Sequence, residues 1–169
     1  ERPDQYVAVG WTVIGGMSGY VLTSPDGEVW TEKHSTTSGA ITSVVWGDGQ
    51  YLAVGHSGIV LTSSDGGMWT EQNLGAMLRL SSVAWNGSQY VAVGSNENAT
   101  EGVVYTSPAG ETWTEQVLGV GVTYNLNSIV WNGSQYVVVG VGASILTSPD
   151  GETWTEQNSG DSRPLGFVM

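Results

Sequence analysis

An all-β propeller, four blades of four antiparallel strands each, is the fold this sequence predicts, on three observations. The segment Gln-Tyr-aliphatic-aliphatic-Val-Gly occurs four times, at Gln5–Gly10, Gln50–Gly55, Gln89–Gly94 and Gln135–Gly140. Its glycines stand 45, 39 and 46 residues apart, the length of a four-stranded blade rather than of a helical repeat. Each copy then runs through Thr-Ser and a glycine turn to Trp-Thr-Glu, while no stretch repeats apolar residues at helical spacing. Almost no helix is expected. At 169 residues one domain, 1–169, is long enough to bury a core without disulfides, and the chain has no Cys.

The blades divide as 5–33 with 165–169, 41–73, 80–117 and 127–158. In the third, strands are expected at Ser82–Trp85, Gln89–Gly94, Val103–Ser107 and Thr112–Glu115. Asn86-Gly87, Asn132-Gly133 and Gly47-Asp48-Gly49 join first strands to second ones, and Asn-Gly predicts a type I′ turn with positive φ at both residues. The chain opens on a second strand, at Glu1-Arg2-Pro3, with neither an initiator Met nor a signal segment, which reads as a processed chain or an excised fragment. Its end, Phe167-Val168-Met169, matches Val44-Val45-Trp46, Val83-Ala84-Trp85 and Ile129-Val130-Trp131. That tail is therefore expected to be the missing first strand of the first blade, closing this ring or a neighbour's and so removing an open sheet edge.

Short antiparallel strands put the tight turns on one face of the disc and all irregular loops on the other. Binding residues gather on variable loops held by a rigid scaffold, so a site is expected on the irregular face.

The turns Ser24-Pro-Asp26-Gly27-Glu-Val-Trp30, Ser63-Ser-Asp65-Gly66-Gly67-Met-Trp69 and Ser148-Pro-Asp150-Gly151-Glu-Thr-Trp154 resemble the Asp-box, or BNR repeat, of sialidase-like propellers, in four copies along the whole chain. Here the Asp-to-Trp spacing is one residue shorter, and Ala109 replaces Asp in the third copy, which ends in Trp113. The resemblance implies structural roles: the Asp holds the hairpin backbone and Trp30, Trp69, Trp113 and Trp154 pack between blades. A short carboxylate can satisfy turn N–H groups, and Gly supplies the left-handed residue.

Charge and composition exclude several function classes. Sixteen acidic against four basic residues give a net charge of −12, which argues against nucleic acid or an anionic membrane as partner, and no apolar run is long enough to span a bilayer. A sialidase-like site needs a cluster of arginines, and only Arg2, Arg79 and Arg163 are present. His34 and His56 lack the neighbours of a metal site, so no metal and no cofactor are expected. Glu32, Glu71, Glu115 and Glu156 fall on outermost strands, where charge discourages sheet pairing.

Seven of the eight tryptophans repeat with the blades and read as packing; Trp11 does not. With Tyr20, Arg79, Tyr124 and Asn125 it belongs to the irregular face, and these five are the ligand-binding candidates. Three glycosylation sequons begin at Asn86, Asn98 and Asn132, of which Asn98 has no turn role. The function expected is a non-enzymatic extracellular or cell-surface scaffold or adhesive module, self-assembling through its terminal strand. The alternatives are a glycan-binding lectin-like propeller, an intracellular assembly factor resembling the photosystem II assembly propellers, or a degenerate glycosidase. Lectin pockets would repeat in every blade, whereas these loops differ in length and chemistry.

Overall fold

The computed structural model describes residues 3–14, 16–36, 39–118, 125–160 and 162–169. They form four antiparallel sheets and one three-residue 3-10 turn, Val141–Ala143. Blade 1 has three strands, β1 (Tyr6–Thr12), β2 (Ser18–Ser24) and β3 (Thr31–Ser35). Blade 2 comprises β4 (Ile41–Gly47), β5 (Gln50–Gly55), β6 (Ile59–Ser63) and β7 (Thr70–Asn73). Blade 3 comprises β8 (Leu78–Trp85), β9 (Tyr90–Asn96), β10 (Gly102–Ser107) and β11 (Thr114–Gln116). Blade 4 comprises β12 (Leu126–Trp131), β13 (Tyr136–Gly140), β14 (Ile145–Ser148) and β15 (Thr155–Gln157). This is the propeller architecture the repeats predict.

A sheet with two apolar faces must be covered on both, and neighbouring blades do this for one another. Three buried clusters result, one per junction. Val21, Ile41, Ala53, Ile59 and Leu61 join blades 1 and 2; Leu52, Val54, Leu80, Tyr90 and their neighbours join blades 2 and 3; Val91, Val104, Leu126, Tyr136 and Leu146 belong to the junction of blades 3 and 4. Polar contacts repeat with them. The Gln5 amide donates to the Asp65 carbonyl at 2.5 Å, Gln50 donates to Ala109 at 2.8 Å, and Gln89 donates to Asp150. Each inner strand also bulges at one residue, after Ile41, Leu80 and Leu126. The following serine hydroxyl then accepts the next inner strand's N–H: Ser43 from Val83 at 3.3 Å and Ser82 from Ile129 at 3.4 Å.

The hairpin turns depart from expectation in one detail. Only Gly87 and Gly133 carry positive φ (101° and 98°) in the Asn-Gly turns, while Asn86 and Asn132 act through their side chains, each accepting the N–H groups two and three residues on. The type I′ pattern, positive φ at two successive residues, occurs at Asp48-Gly49 instead (48° and 74°).

The tail corrects one half of the sequence reading, that it closes this chain's own first blade. Phe167, Val168 and Met169 form no strand and do not pair with β1; Phe167 and Met169 are exposed. The tail instead lies along β12. Asn127 donates to the Leu165 carbonyl at 2.8 Å as Thr42 donates to Leu80 at 2.8 Å, and the Val168 N–H meets the Ser128 hydroxyl at 3.4 Å as Val83 meets Ser43. So it occupies the place that the inner strand of a following blade would take, with Val168 rather than Phe167 at the Val83 position.

All four hairpins closing the third and fourth strands share a serine hydroxyl that accepts the turn Gly N–H at 2.8 Å and an indole N–H that donates to the same glycine's carbonyl. In three of them Asp26, Asp65 or Asp150 accepts two further N–H groups at 2.7–3.1 Å. These bonds, that from Val29 foremost for Asp26, from Met68 for Asp65 and from Thr153 for Asp150, hold the carboxyls below the ordinary value of 3.8. A carboxyl lowered in the folded state supports the fold above its unfolded pKa and withdraws that support as pH falls through the lowered value. The melting midpoint is therefore expected to drop below about pH 4, and the triple variant Asp26→Asn, Asp65→Asn, Asp150→Asn to flatten that drop. An unchanged acid slope would show that other groups carry it.

The repeated strand-end glycine is set by close approach. A Cβ on Gly94 would sit 2.0 Å from the Arg79 carbonyl oxygen, whereas on Gly10 it would meet only the Tyr20 ring at 2.8 Å, because β1 has no inner neighbour. Gly94→Ala is expected to cost about 1–3 kcal/mol in a denaturant melt, while Gly10→Ala, met by a side chain able to swing, changes stability by less than about 1 kcal/mol. Equal costs would contradict this difference between the central strand β9 and the edge strand β1.

Candidate functional site

Loops of three blades meet on the irregular face. A groove there is lined by Met17 from the β1–β2 loop, His56 after β5, Leu78 and Arg79 at the start of β8, and Glu97 after β9. Backbone pairing fixes its floor: His56 and Arg79 form an antiparallel bridge, the Gly58 N–H donates to the Leu78 carbonyl at 3.0 Å, and Arg79 faces Ser95 in the sheet. The Arg79 side chain is exposed, and no carboxylate lies within ion-pairing distance of it among the described residues. Such an unneutralised guanidinium offers forked N–H donors to an incoming carboxylate.

His56 is half-buried. Burial first, then the charge of Arg79, hold its imidazole below the ordinary value of 6.5, so it is neutral at pH 7 and can accept or donate a hydrogen bond without adding charge. His34 lies elsewhere, 3.7 Å from Glu71 on the neighbouring blade's outer strand. No group of three or more His, Asp or Glu able to hold a metal occurs among the described residues.

The five residues expected to bind a ligand fall in separate places. Trp11, opposite Gly19, and Tyr20, opposite Gly10, sit together at the loop end of blade 1, and Trp11 is 55% exposed. Arg79 and Asn125 occupy equivalent positions of blades 3 and 4, each placing its carbonyl against the strand-end glycine, Gly94 or Gly140. The Asn125 side-chain oxygen is buried without a hydrogen-bond partner. Tyr124 lies outside the described residues. Of the four described residues of the set, only Arg79 lines the groove. Met17, His56 and Glu97 were not legible as its companions, because bringing them together depends on how three blades are wedged, not on any spacing in the chain. The sequons sit as follows: Asn86 and Asn132 are engaged in turns, and Asn98 is exposed in the β9–β10 loop.

No protein-family model and no curated protein matches the chain. Among solved structures its fold is similar to YCF48 bound to D1 peptide, with a TM-score of 0.59 and 19% identity over 71% of this chain and 41% of that one. It is likewise similar to YCF48 from Cyanidioschyzon merolae, with a TM-score of 0.58 and 19% identity over 71% of this chain and 37% of that one. The chain thus spans well under half the length of those proteins, and at such identity the likeness is one of fold.

Replacing Arg79 by Ala removes the second cause of the His56 shift and leaves the first. The His56 pKa, followed by proton NMR, is expected to rise in Arg79→Ala yet stay below the ordinary histidine value; no movement would mean that the guanidinium does not face the ring.

Proposed function

We propose that this chain is a non-enzymatic propeller module that binds a protein partner on its irregular face, taking an extended segment that carries a carboxylate. The observation that supports it most is the exposed Arg79, with no carboxylate within ion-pairing distance among the described residues, in a groove whose other walls include Met17, Leu78, Glu97 and a neutral half-buried His56. In a chain of net charge −12, a cation that is not ion-paired, in a groove that also presents apolar Met17 and Leu78 beside Glu97, is a local exception, suited to an acidic group with an apolar neighbour. A peptide bound by YCF48, whose fold is similar, is in keeping with that use. The role is that of a scaffold: it holds, and has no chemistry of its own.

Isothermal titration with an acidic extended peptide and with its amidated, neutral counterpart tests this. The acidic peptide is expected to bind, and Arg79→Ala to weaken it about tenfold to a hundredfold, as loss of one charge-assisted contact implies. Equal binding of both peptides, no effect of Arg79→Ala, or turnover of a sialoside or other glycoside would overturn the reading.

A further inference from the structure

Arg79 shares its groove with a second, opposite charge. Glu97, from the β9–β10 loop, lines the same walls, and both residues are exposed. Within blade 3 Leu78 faces Asn96 and Arg79 faces Ser95, so Glu97, two residues after Ser95, is the diagonal neighbour of Arg79. Neighbours of that kind lie about 7–8 Å apart, within reach of two long side chains. Yet Arg79 and Glu97 form no ion pair, with each other or with another described residue. Leaving them apart costs little in water, where an exposed ion pair is weak. What results is one groove with two free poles.

Both poles are held in place by backbone. The Asn96 N–H donates to the Glu101 carbonyl, the Ala99 N–H to the Asn96 carbonyl and the Thr100 N–H to the Asn96 side-chain oxygen, each at 3.0 Å, which closes the loop that carries Glu97. On the other side of β8, Arg79 is anchored by its bridge to His56. Across β8 the groove therefore runs from a neutral imidazole through a guanidinium to a carboxylate. It holds about 140 Å³, well below the roughly 300 Å³ at which sites for whole small-molecule ligands begin, so it takes the ends of one or two side chains. In an extended segment, side chains two residues apart point to the same side about 7 Å from one another, two rises of about 3.4 Å. That spacing matches the separation of diagonal neighbours such as Arg79 and Glu97, whereas adjacent residues point to opposite sides.

We propose that the segment bound in this groove carries an acidic and a basic side chain two residues apart, the carboxylate on Arg79 and the cation on Glu97, and that Glu97 is the residue that selects it. This rests on the reading of Arg79 as the carboxylate site and adds the second charge. A segment acidic at both positions meets Glu97 as a like charge, in a chain already at −12, and is disfavoured. One whose acidic and basic residues are adjacent reaches a single pole.

Fluorescence anisotropy tests the proposal with labelled, capped peptides that differ only in their central residues: Glu-Ser-Lys, Lys-Ser-Glu, Glu-Lys-Ser and Glu-Ser-Glu. One of the two spaced orders is expected to bind about twofold to fivefold more tightly than Glu-Lys-Ser, as one exposed ion pair implies, with Glu-Ser-Glu weakest. Glu97→Gln is expected to abolish that preference and Glu97→Lys to reverse it in favour of Glu-Ser-Glu, while Arg79→Ala weakens every peptide. Far-ultraviolet circular dichroism matching the unaltered chain shows that each variant is folded. No advantage of either spaced peptide over Glu-Lys-Ser, or a preference that Glu97→Gln leaves intact, overturns the proposal and leaves the carboxylate reading of Arg79 standing. Binding that Arg79→Ala does not weaken, or no binding of any of the four peptides, overturns both.

Discussion

The contact on which the molecule depends is the one between successive blades, in which the second strand of one packs its aliphatic face and its Gln on the hairpin of the next. Burial dominates its strength. A fully buried aliphatic side chain contributes about 1.5–3 kcal/mol, against about 1 kcal/mol for a single amide-to-carbonyl bond. The Gln bond instead fixes register: it is formed only when the turn glycine sits directly over the strand, where an added Cβ would meet Gln5, Gln50 or Gln89 within 3.5 Å. Strength and alignment thus come from different atoms of the same repeated segment.

Since each blade is covered by its neighbours, the loops on the irregular face are released from any packing duty. That freedom explains why the His56–Arg79 bridge, the β9–β10 loop and the 3-10 turn at Val141–Ala143 differ between blades while the opposite face repeats a single turn chemistry. It also explains the third hairpin, where Ala109 replaces Asp. The serine-to-glycine bond and the indole bond survive there, and those two suffice to close the turn. The carboxylate is an addition to the turn rather than its cause.

What was legible in the sequence was whatever repeats. Blade number, strand order and the turn roles of Asp26, Asp65 and Asp150 come from local pattern, and local pattern decides hairpins. The positive φ misassigned to Asn86 shows the limit, since Asn tolerates a left-handed backbone but also accepts two N–H groups from an ordinary one, and the second option won. The groove around Arg79 was hidden for a different reason. Its walls come from positions 17, 56, 78, 79 and 97, which share no spacing and meet only through the tilt of whole sheets. The tail was read one residue out of register because its apolar residues match the inner strands equally well in two frames. Only the Asn127 and Ser128 bonds distinguish them.

Repetition has a further physical consequence. When every junction is built from the same residues, each adds a similar increment, so the stability of the array is approximately a sum over its blades and the junctions between them. Opposing this is the net charge of −12, which the blades share. Burial at a junction is short-ranged and hardly sensitive to salt, whereas repulsion among acidic surface groups extends over a Debye length, about 8 Å at physiological ionic strength. Added salt therefore removes the opposing force and leaves the attractive one, so the packing of blade on blade strengthens with ionic strength. Binding of an acidic segment at Arg79 behaves differently, because screening weakens the ion pair at the same time as it weakens the repulsion from the rest of the surface. Stability and binding can be told apart in solution by their different responses to salt.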